Sequence, residues 1–155
     1  MRNKQKGFSL IELLIVVAII LIIAAIAIPN LLRSKIAANQ ASAVGSLRTL
    51  NTACIAYSTS YGQFPAALGN LGPMASGGTA SSTSADLIDS VLASGTKSGY
   101  TFVFTAGASN QSYTITATPI TAATTGQNMY FTDQSGVIRV NTSGSGAAAT
   151  STPIG

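Results

Sequence analysis

The amino-terminal part of the chain contains a long apolar run. Residues 8–28 read FSLIELLIVVAIILIIAAIAI, and no residue from Leu13 to Leu32 is charged. A helix needs about 20 consecutive, mostly apolar residues to cross a bilayer. The run therefore predicts a membrane-spanning helix over residues 8–32.

Apolar residues continue at helical spacing beyond this run, but on one face only. Their intervals of 3, 4, 3 and 4 predict a helix that extends to about residue 60. Polar residues such as Arg33, Asn39 and Arg48 occupy the opposite face, so the segment 33–60 is amphipathic. The apolar stripe consists of Leu47, Leu50, Cys54, Tyr57 and Tyr61.

The pattern changes from helical to alternating in the second half of the chain. Tyr61-Gly62-Gln63-Phe64-Pro65 stops the helix, and the Gly, Ser and Thr content of 61–98 predicts a loop region that admits a short helix at 84–93. The tail 142–155 is predicted to be flexible. An α+β fold follows, in which the long helix packs on a four-stranded antiparallel sheet. The strands are predicted at 99–105, 112–118, 128–132 and 137–141, the last two joined by a hairpin turn at Asp133-Gln134-Ser135-Gly136.

The positive charge of the chain is concentrated at its amino terminus. The formal net charge is +4, and Arg2, Lys4 and Lys6 supply three of these charges within the first six residues. By the positive-inside rule, they place the amino end in the cytoplasm and everything after about residue 33 outside. The other cations are too dispersed for a nucleic-acid-binding face, which needs clustered Lys and Arg. No specific nucleic-acid site is predicted.

Few residues could support catalysis or metal binding. The chain has no His and a single Cys, so it can build neither a zinc cluster nor an internal disulfide. Cys54 lies in the apolar stripe and is expected to be a buried thiol. Beyond the apolar run the acids are Asp86, Asp89 and Asp133, and the first two read as helix caps or solvated residues rather than as metal ligands. We expect no enzyme activity, no cofactor and no metal site.

The apolar run has two ordinary interpretations. One is a secretory signal peptide cleaved after Ala25-Ile26-Ala27, and the other is a plain single-span anchor. Neither accounts for Glu12, because a carboxylate one turn into an apolar helix costs several kcal/mol in the membrane. An isolated span gains nothing from that charge. A signal peptide gains nothing either, because it is discarded after cleavage.

The residues around Glu12 resemble a known signature. Lys6-Gly7-Phe8-Ser9-Leu10-Ile11-Glu12-Leu13-Leu14 is similar to the type IV pilin signature, in which Phe-x-Leu-x-Glu follows a basic leader and a Gly. In that family a membrane-embedded prepilin peptidase cuts after the Gly and methylates the new amino terminus. The resemblance implies a cleaved leader over 1–7, cleavage between Gly7 and Phe8, and N-methylation of Phe8. Pro29 matches a helix-breaking proline common in the family and predicts a kink.

The spacing between Phe8 and Glu12 also has a physical reason. Cleavage creates an ammonium group at Phe8, and in a filament packed from apolar helices this charge and Glu12 both need a counterion. Glu12 of one subunit can pair with the Phe8 amine of its neighbour. Four residues span about 6 Å of helix rise, so the pair favours neighbours staggered by a distance of that order. Phe8 and Glu12 are therefore the predicted subunit-assembly residues.

The order of long helix, loop and small sheet resembles type IVa major pilins and the major pseudopilins of type II secretion. Two departures matter. Many pilins close a carboxy-terminal loop with two cysteines, which this chain lacks, and pseudopilins usually bind calcium through acids in a late loop, where this chain has only Asp133 after residue 90. We therefore favour a structural subunit of a type IV pilus. A type II secretion pseudopilin is the alternative, and a secreted or anchored binding protein that never polymerises is the third hypothesis.

The resemblance also implies partners and a location. The partners are the prepilin peptidase, other copies of the chain in a homopolymeric filament, and the inner-membrane pilus assembly machinery. Before assembly, the chain would cross the inner membrane once with a head domain over 33–155 outside. After assembly it would belong to an extracellular filament that serves adhesion, motility or DNA uptake.

Overall fold

The computed structural model describes residues 8–74, 78–144 and 146–154. The predicted leader, 1–7, lies outside the described residues. The principal elements, in chain order, are α1 (Leu10–Tyr61), α2 (Ser90–Ala93), β1 (Thr96–Lys97), β2 (Tyr100–Ala106), β3 (Tyr113–Pro119), β4 (Met129–Asp133), β5 (Arg139–Asn141) and β6 (Thr152–Pro153), with single 3-10 turns at Leu68–Leu71 and Ala108–Asn110.

The chain divides into two compact units, one ending at Lys35 and the other beginning at Ile36. The described part of the first unit is the amino-terminal stretch of α1. The second unit contains the rest of α1, the loop region and every strand. Helix α1 is 52 residues long, and its carboxy-terminal end at Tyr61 agrees with the predicted stop at Gly62, whose positive φ of 74° favours glycine.

The second unit contains an antiparallel meander. Its six strands are hydrogen-bonded in the order β1-β2-β3-β4-β5-β6, so each strand pairs with its neighbour in the chain. The four predicted strands are present as β2 to β5, within two residues of their expected bounds, and the predicted α+β class is confirmed. Two short strands, β1 and β6, extend the predicted four-stranded sheet at its edges. Alternation over two residues is too short a pattern to predict a strand.

The hairpin between β4 and β5 confirms the predicted turn. The Gly136 N–H donates to the Asp133 carbonyl oxygen at 2.9 Å, and Gly136 has a φ of 75°. Strand β5 begins at Arg139 rather than at Val137, because the Val137 N–H donates to the Ser135 hydroxyl at 3.3 Å. Local turn bonds therefore replace the first rungs of the ladder.

The tail of the chain returns to the sheet. β6 pairs with β5, and the Ile154 N–H donates to the Ile138 carbonyl oxygen at 2.8 Å. The Arg139 guanidinium donates to the Ser151 carbonyl oxygen at 3.1 Å. The segment 142–155, which the composition predicts to be flexible, thus includes a paired strand at Thr152–Pro153.

The core of the second unit lies between the amphipathic half of α1 and the inner face of the sheet. On the helix the buried side chains repeat at the spacing of the predicted stripe, and Tyr61, at its end, is partly buried. Asn51 is a buried polar residue on the same face: it accepts from the Tyr113 hydroxyl at 3.1 Å and donates to the Thr132 hydroxyl at 2.9 Å. The fully buried core side chains include Leu47, Leu50, Cys54, Leu71, Tyr100 and Ile115.

Candidate assembly site on the amino-terminal helix

The apolar half of α1 has no cover within its own unit. Every large apolar side chain from Phe8 to Leu32 is exposed by 47% or more. One helix among the described residues is long and apolar enough to cross a membrane, with a mean hydropathy of 3.3 in its most apolar window and none of that window buried. A surface of this kind requires lipid or other protein around it, because exposed apolar patches of this length are not stable in water.

Glu12 has a partner inside its own helix. Ser9 immediately precedes the first helical residue, Leu10, and its backbone N–H donates to the Glu12 carboxylate at 2.9 Å. The third residue of a helix often accepts this bond when Ser or Thr stands at the cap position, and a negative charge there also interacts favourably with the helix dipole. Glu12 therefore caps the start of α1.

This hydrogen bond was not predicted from the sequence. The signal is present, because Ser9-x-x-Glu12 before an apolar run is the pattern of a capping box. The predicted partner of Glu12 was instead the Phe8 amine of a neighbouring subunit. The bond holds the carboxylate beside the backbone of residue 9, one residue from Phe8.

The other predicted site residues are less completely described. Phe8 is 87% exposed. Gly7 lies outside the described residues, so the bond between Gly7 and Phe8 is not described. Pro29 lies inside α1, which is assigned as helix without interruption from Leu10 to Tyr61. Proline removes one backbone donor from the helix interior, and the kink at Pro29 stays a prediction.

The candidate functional residues of the second unit, Cys54 and Asp89, have structural roles. Cys54 is fully buried, and this burial raises the pKa of its thiol to about 12. Asp89 is the cap of α2: its carboxylate accepts from the Leu92 N–H at 2.8 Å and pairs with Lys97 at 2.9 Å. The hydrogen bond from Lys97 is the main reason that the pKa of Asp89 is lowered. No group of three His, Cys, Asp or Glu residues that could hold a metal occurs in the described parts of the chain.

Comparison with known proteins finds one matching family, and the match lies in the amino-terminal segment. The family described as prokaryotic N-terminal methylation motif matches residues 2–28, which include Gly7, Phe8 and Glu12. No solved structure matches the chain. The motif thus coincides with the start of the exposed apolar helix.

The similar curated proteins come from two kinds of system. Type IV major pilin protein PilA of Myxococcus xanthus is 52% identical over 50 residues, which are 32% of this chain and 23% of that protein. Type IV major fimbrial protein FimA of Dichelobacter nodosus is 52% identical over 59 residues, 36% of this chain and 37% of that protein. Type II secretion system core protein G of Aeromonas hydrophila is 33% identical over 64 residues, 41% of this chain and 45% of that protein. The chain thus spans less than half the length of each.

The chain therefore carries a match to the N-terminal methylation motif at the start of an uncovered apolar helix. Over part of its length the chain is similar to type IV major pilins and to core protein G of type II secretion.

Proposed function

We propose that this chain is a structural subunit of a type IV pilus. A prepilin peptidase removes the leader 1–7 by cutting between Gly7 and Phe8, and the new amino group of Phe8 is methylated. The apolar helix 8–32 remains on the mature chain and becomes the polymerising element. The observation that supports this proposal most is that an uncovered apolar helix, with a single carboxylate near its start, begins inside the matched N-terminal methylation motif.

The charge of Glu12 explains why such a helix would assemble. The Ser9 N–H satisfies part of the hydrogen-bonding capacity of the carboxylate, but it does not neutralise the charge. In lipid, the remaining charge costs free energy. The ammonium created at Phe8 of a neighbouring subunit supplies the missing counterion. A buried ion pair of this kind specifies register more than it stabilises, so Glu12 and Phe8 would set the stagger between subunits.

The proposal has consequences for location and partners. Before assembly, α1 crosses the inner membrane once, with the second unit outside. The inner-membrane assembly machinery then transfers the subunit into a homopolymeric extracellular filament. The filament would serve adhesion, motility or DNA uptake, according to the motors and tips with which it works.

The direct test of the assembly site compares Glu12→Ala with Glu12→Gln. Both variants should insert and be cleaved at the wild-type level, because neither adds a charge to the membrane segment. Glu12→Ala removes the cap and the charge, and we expect its filament yield to fall by at least tenfold. Glu12→Gln keeps an oxygen that can accept from the Ser9 N–H, so it isolates the effect of the charge. The readout is subunit in the sheared filament fraction relative to subunit in membranes.

Three outcomes are informative. A low yield from both variants supports charge pairing. A wild-type yield from Glu12→Gln with a low yield from Glu12→Ala would assign the role to the helix cap and refute pairing. Wild-type yields from both variants would remove Glu12 from assembly altogether.

A second candidate function is a pseudopilin of type II secretion. The similarity to core protein G of Aeromonas hydrophila and of Escherichia coli favours it, since each of those matches covers 41% of this chain. The leader, the apolar helix and Glu12 would serve the same steps in that case. The two functions differ in whether the second unit is expected to bind calcium, so a calcium test separates them.

A further inference from the structure

An open groove runs along α1 in the second unit. Its volume is about 590 Å³. The helix contributes the floor through Ala37, Ala41 and Gly45. One wall is formed by Tyr130 of β4, Val140 of β5 and Ile154, the residue that follows β6. The lining is mostly apolar, and Arg48 is its one charged residue.

No contact within the described part of the chain explains why position 45 of this groove is a glycine. Glycine inside a helix destabilises it by roughly 0.5–1 kcal/mol relative to alanine. Gly45 is exposed, its φ is not positive, and a Cβ built on it would meet no atom within 4 Å. By contrast, a Cβ on Gly126 would overlap the ring of Tyr100. The missing side chain of Gly45 therefore leaves room for something outside the chain.

The floor of the groove has the spacing of a helix-packing surface. Ala37, Ala41 and Gly45 are four residues apart, so they form one of the i±4 ridges along which helices pack. Small residues on such a ridge lower it and let the backbone of a second helix approach closely. Helices in contact in this way lie about 8–10 Å apart, axis to axis. The groove thus fits an apolar helix better than a loop or a polar strand.

We propose that this groove binds the apolar helix of a second copy of this chain, residues 8–32, with Gly45 at the point of closest approach. The inference rests on the proposed function. The same chain supplies an apolar helix without cover, and Leu10, Leu14 and Val17 form an apolar surface at its start. The charges are compatible with this fit: Arg48, the one charged residue of the groove, has no ion-pair partner among the described residues, and the charged groups of residues 8–32 lie at the start of the helix, where Glu12 and the Phe8 amine pair in the proposed filament.

The test uses the full-length chain and two substitutions of one residue. Gly45→Ala should raise the folded-to-unfolded ratio of the detergent-solubilised subunit by roughly two- to fivefold, because the helix gains an alanine in open space. Gly45→Leu fills the groove. The melting temperature of the subunit should then be unchanged or higher, whereas the filament yield should fall on the order of tenfold. A variant that is as stable as the wild type yet does not assemble cannot be explained by a folding defect.

Gly69 provides the matched control. It is exposed on the 3-10 turn Leu68–Leu71, and a Cβ built on it also meets nothing within 4 Å. Gly69→Leu should therefore keep the wild-type filament yield. A loss of yield equal to that of Gly45→Leu would show that added bulk anywhere on the second unit blocks assembly, and it would overturn the proposal.

Cross-linking identifies the occupant of the groove. Cells producing a mixture of Ala41→Cys subunits and subunits with a cysteine at Leu10, Leu14 or Val17 should yield a disulfide-linked heterodimer in the filament fraction for at least one pair. The background is low, because the native Cys54 is fully buried. Cross-links that form only between two Ala41→Cys subunits would mean that head meets head in this groove, and they would overturn the assignment of the helix as occupant.

The proposed function and this inference fail in different ways. If the wild-type chain is not cleaved and forms no filament, the proposed function fails. If the wild type assembles and Gly45→Leu assembles equally well, the pilus function stands and the groove assignment is wrong.

Discussion

At the scale of single residues, Glu12 and Cys54 show opposite ways of placing an ionisable group in an apolar setting. Glu12 lies in an apolar helix but accepts a hydrogen bond from the Ser9 N–H, so the hydrogen-bonding capacity of its carboxylate is partly satisfied. Cys54 is fully buried, and the cost of burying a thiolate raises the pKa of its thiol from 9.0 to about 12. Under the proposed function the carboxylate of Glu12 interacts with a second subunit, whereas the thiol of Cys54 contributes to stability while neutral.

The pKa of Cys54 predicts a pH dependence of stability. Below pH 9 the thiol is protonated in the folded and unfolded states, so its full contribution is present. Between pH 9 and 12 the unfolded thiol ionises and the folded thiol does not, so the free energy of unfolding falls by up to about 1.4 kcal/mol per pH unit from this group. Urea unfolding of the solubilised chain should show this fall beginning near pH 9.

Cys54→Ala is the control for this dependence. The buried tyrosines whose pKa is raised, such as Tyr100 with a pKa of about 12, start from an ordinary value of 10.0 and contribute at higher pH. The decline in stability between pH 9 and 10 should therefore be shallower in Cys54→Ala than in the wild type. Equal slopes would mean that the thiol is accessible to solvent in the folded chain, and that its placement in the core is wrong.

At the scale of elements, one buried side chain joins α1 to the sheet. Asn51 accepts from the Tyr113 hydroxyl of β3, and it donates to the Thr132 hydroxyl of β4 and, at 3.3 Å, to the Gly136 carbonyl oxygen in the turn that follows. The helix is thereby connected to two strands and a hairpin by directional bonds within a mostly apolar interface. Such bonds fix the position of the helix along the sheet.

Asn51→Ala should be strongly destabilising. The substitution leaves the hydroxyls of Tyr113 and Thr132 buried without a partner and opens a small cavity. We expect the free energy of unfolding to fall by roughly 2–4 kcal/mol. Thr52→Ala, at an exposed neighbouring position, should change it by no more than about 0.5 kcal/mol. Urea midpoints of both variants measure the difference, and an Asn51→Ala midpoint equal to that of Thr52→Ala would contradict the network.

The sequence predicted the elements that have a long, regular pattern. The spacing of Leu47, Leu50, Cys54 and Tyr57 identified the buried face of α1, and alternation identified β2 to β5. Asn51 was not predicted as part of that face, because its polarity breaks the pattern and its partners lie 62 and 81 residues away in the chain. Contacts at this sequence separation depend on the folded topology and not on local spacing.

Much of the assembly site, by contrast, is local in sequence. A motif of a few residues is enough to predict the roles of Gly7, Phe8 and Glu12. The cap at Ser9 is local as well, because the pattern Ser9-x-x-Glu12 indicates it. The groove at Gly45 could not be predicted. A glycine in a helix has several explanations, and only the packed structure shows that no atom of the described chain requires its missing side chain.

At the scale of the whole molecule, the two units have different requirements. The first unit needs an apolar environment for a helix without buried residues, while the second has a closed core. The resemblance to pilins and to pseudopilins implies this division for both. Because pseudopilins usually bind calcium through acids in a late loop, calcium binding by the second unit distinguishes the two candidate functions.

The calcium response should be that of a pilin. A calcium site needs six to eight oxygen ligands, several of them carboxylates. Asp133 is the one acid after residue 90, its carboxylate accepts from the Ser135 N–H, and Asp89 is engaged by Lys97. We expect the same melting temperature for the solubilised chain in millimolar calcium and in chelator. Because binding to the folded state alone raises stability, a reproducible rise of several degrees in calcium would favour the pseudopilin.

The position of the mature amino terminus tests the central claim most directly. The proposed function requires a chain that begins at Phe8, carries one added methyl group on its amine and retains the whole apolar helix, because only this product has both a polymerising surface and a counterion for Glu12. Intact-protein mass of the chain purified from membranes and from sheared filaments measures it. A mass corresponding to methylated Phe8–Gly155 is the predicted result. A chain that begins at Ile28 would show that residues 1–27 are a discarded signal peptide, and it would contradict the account.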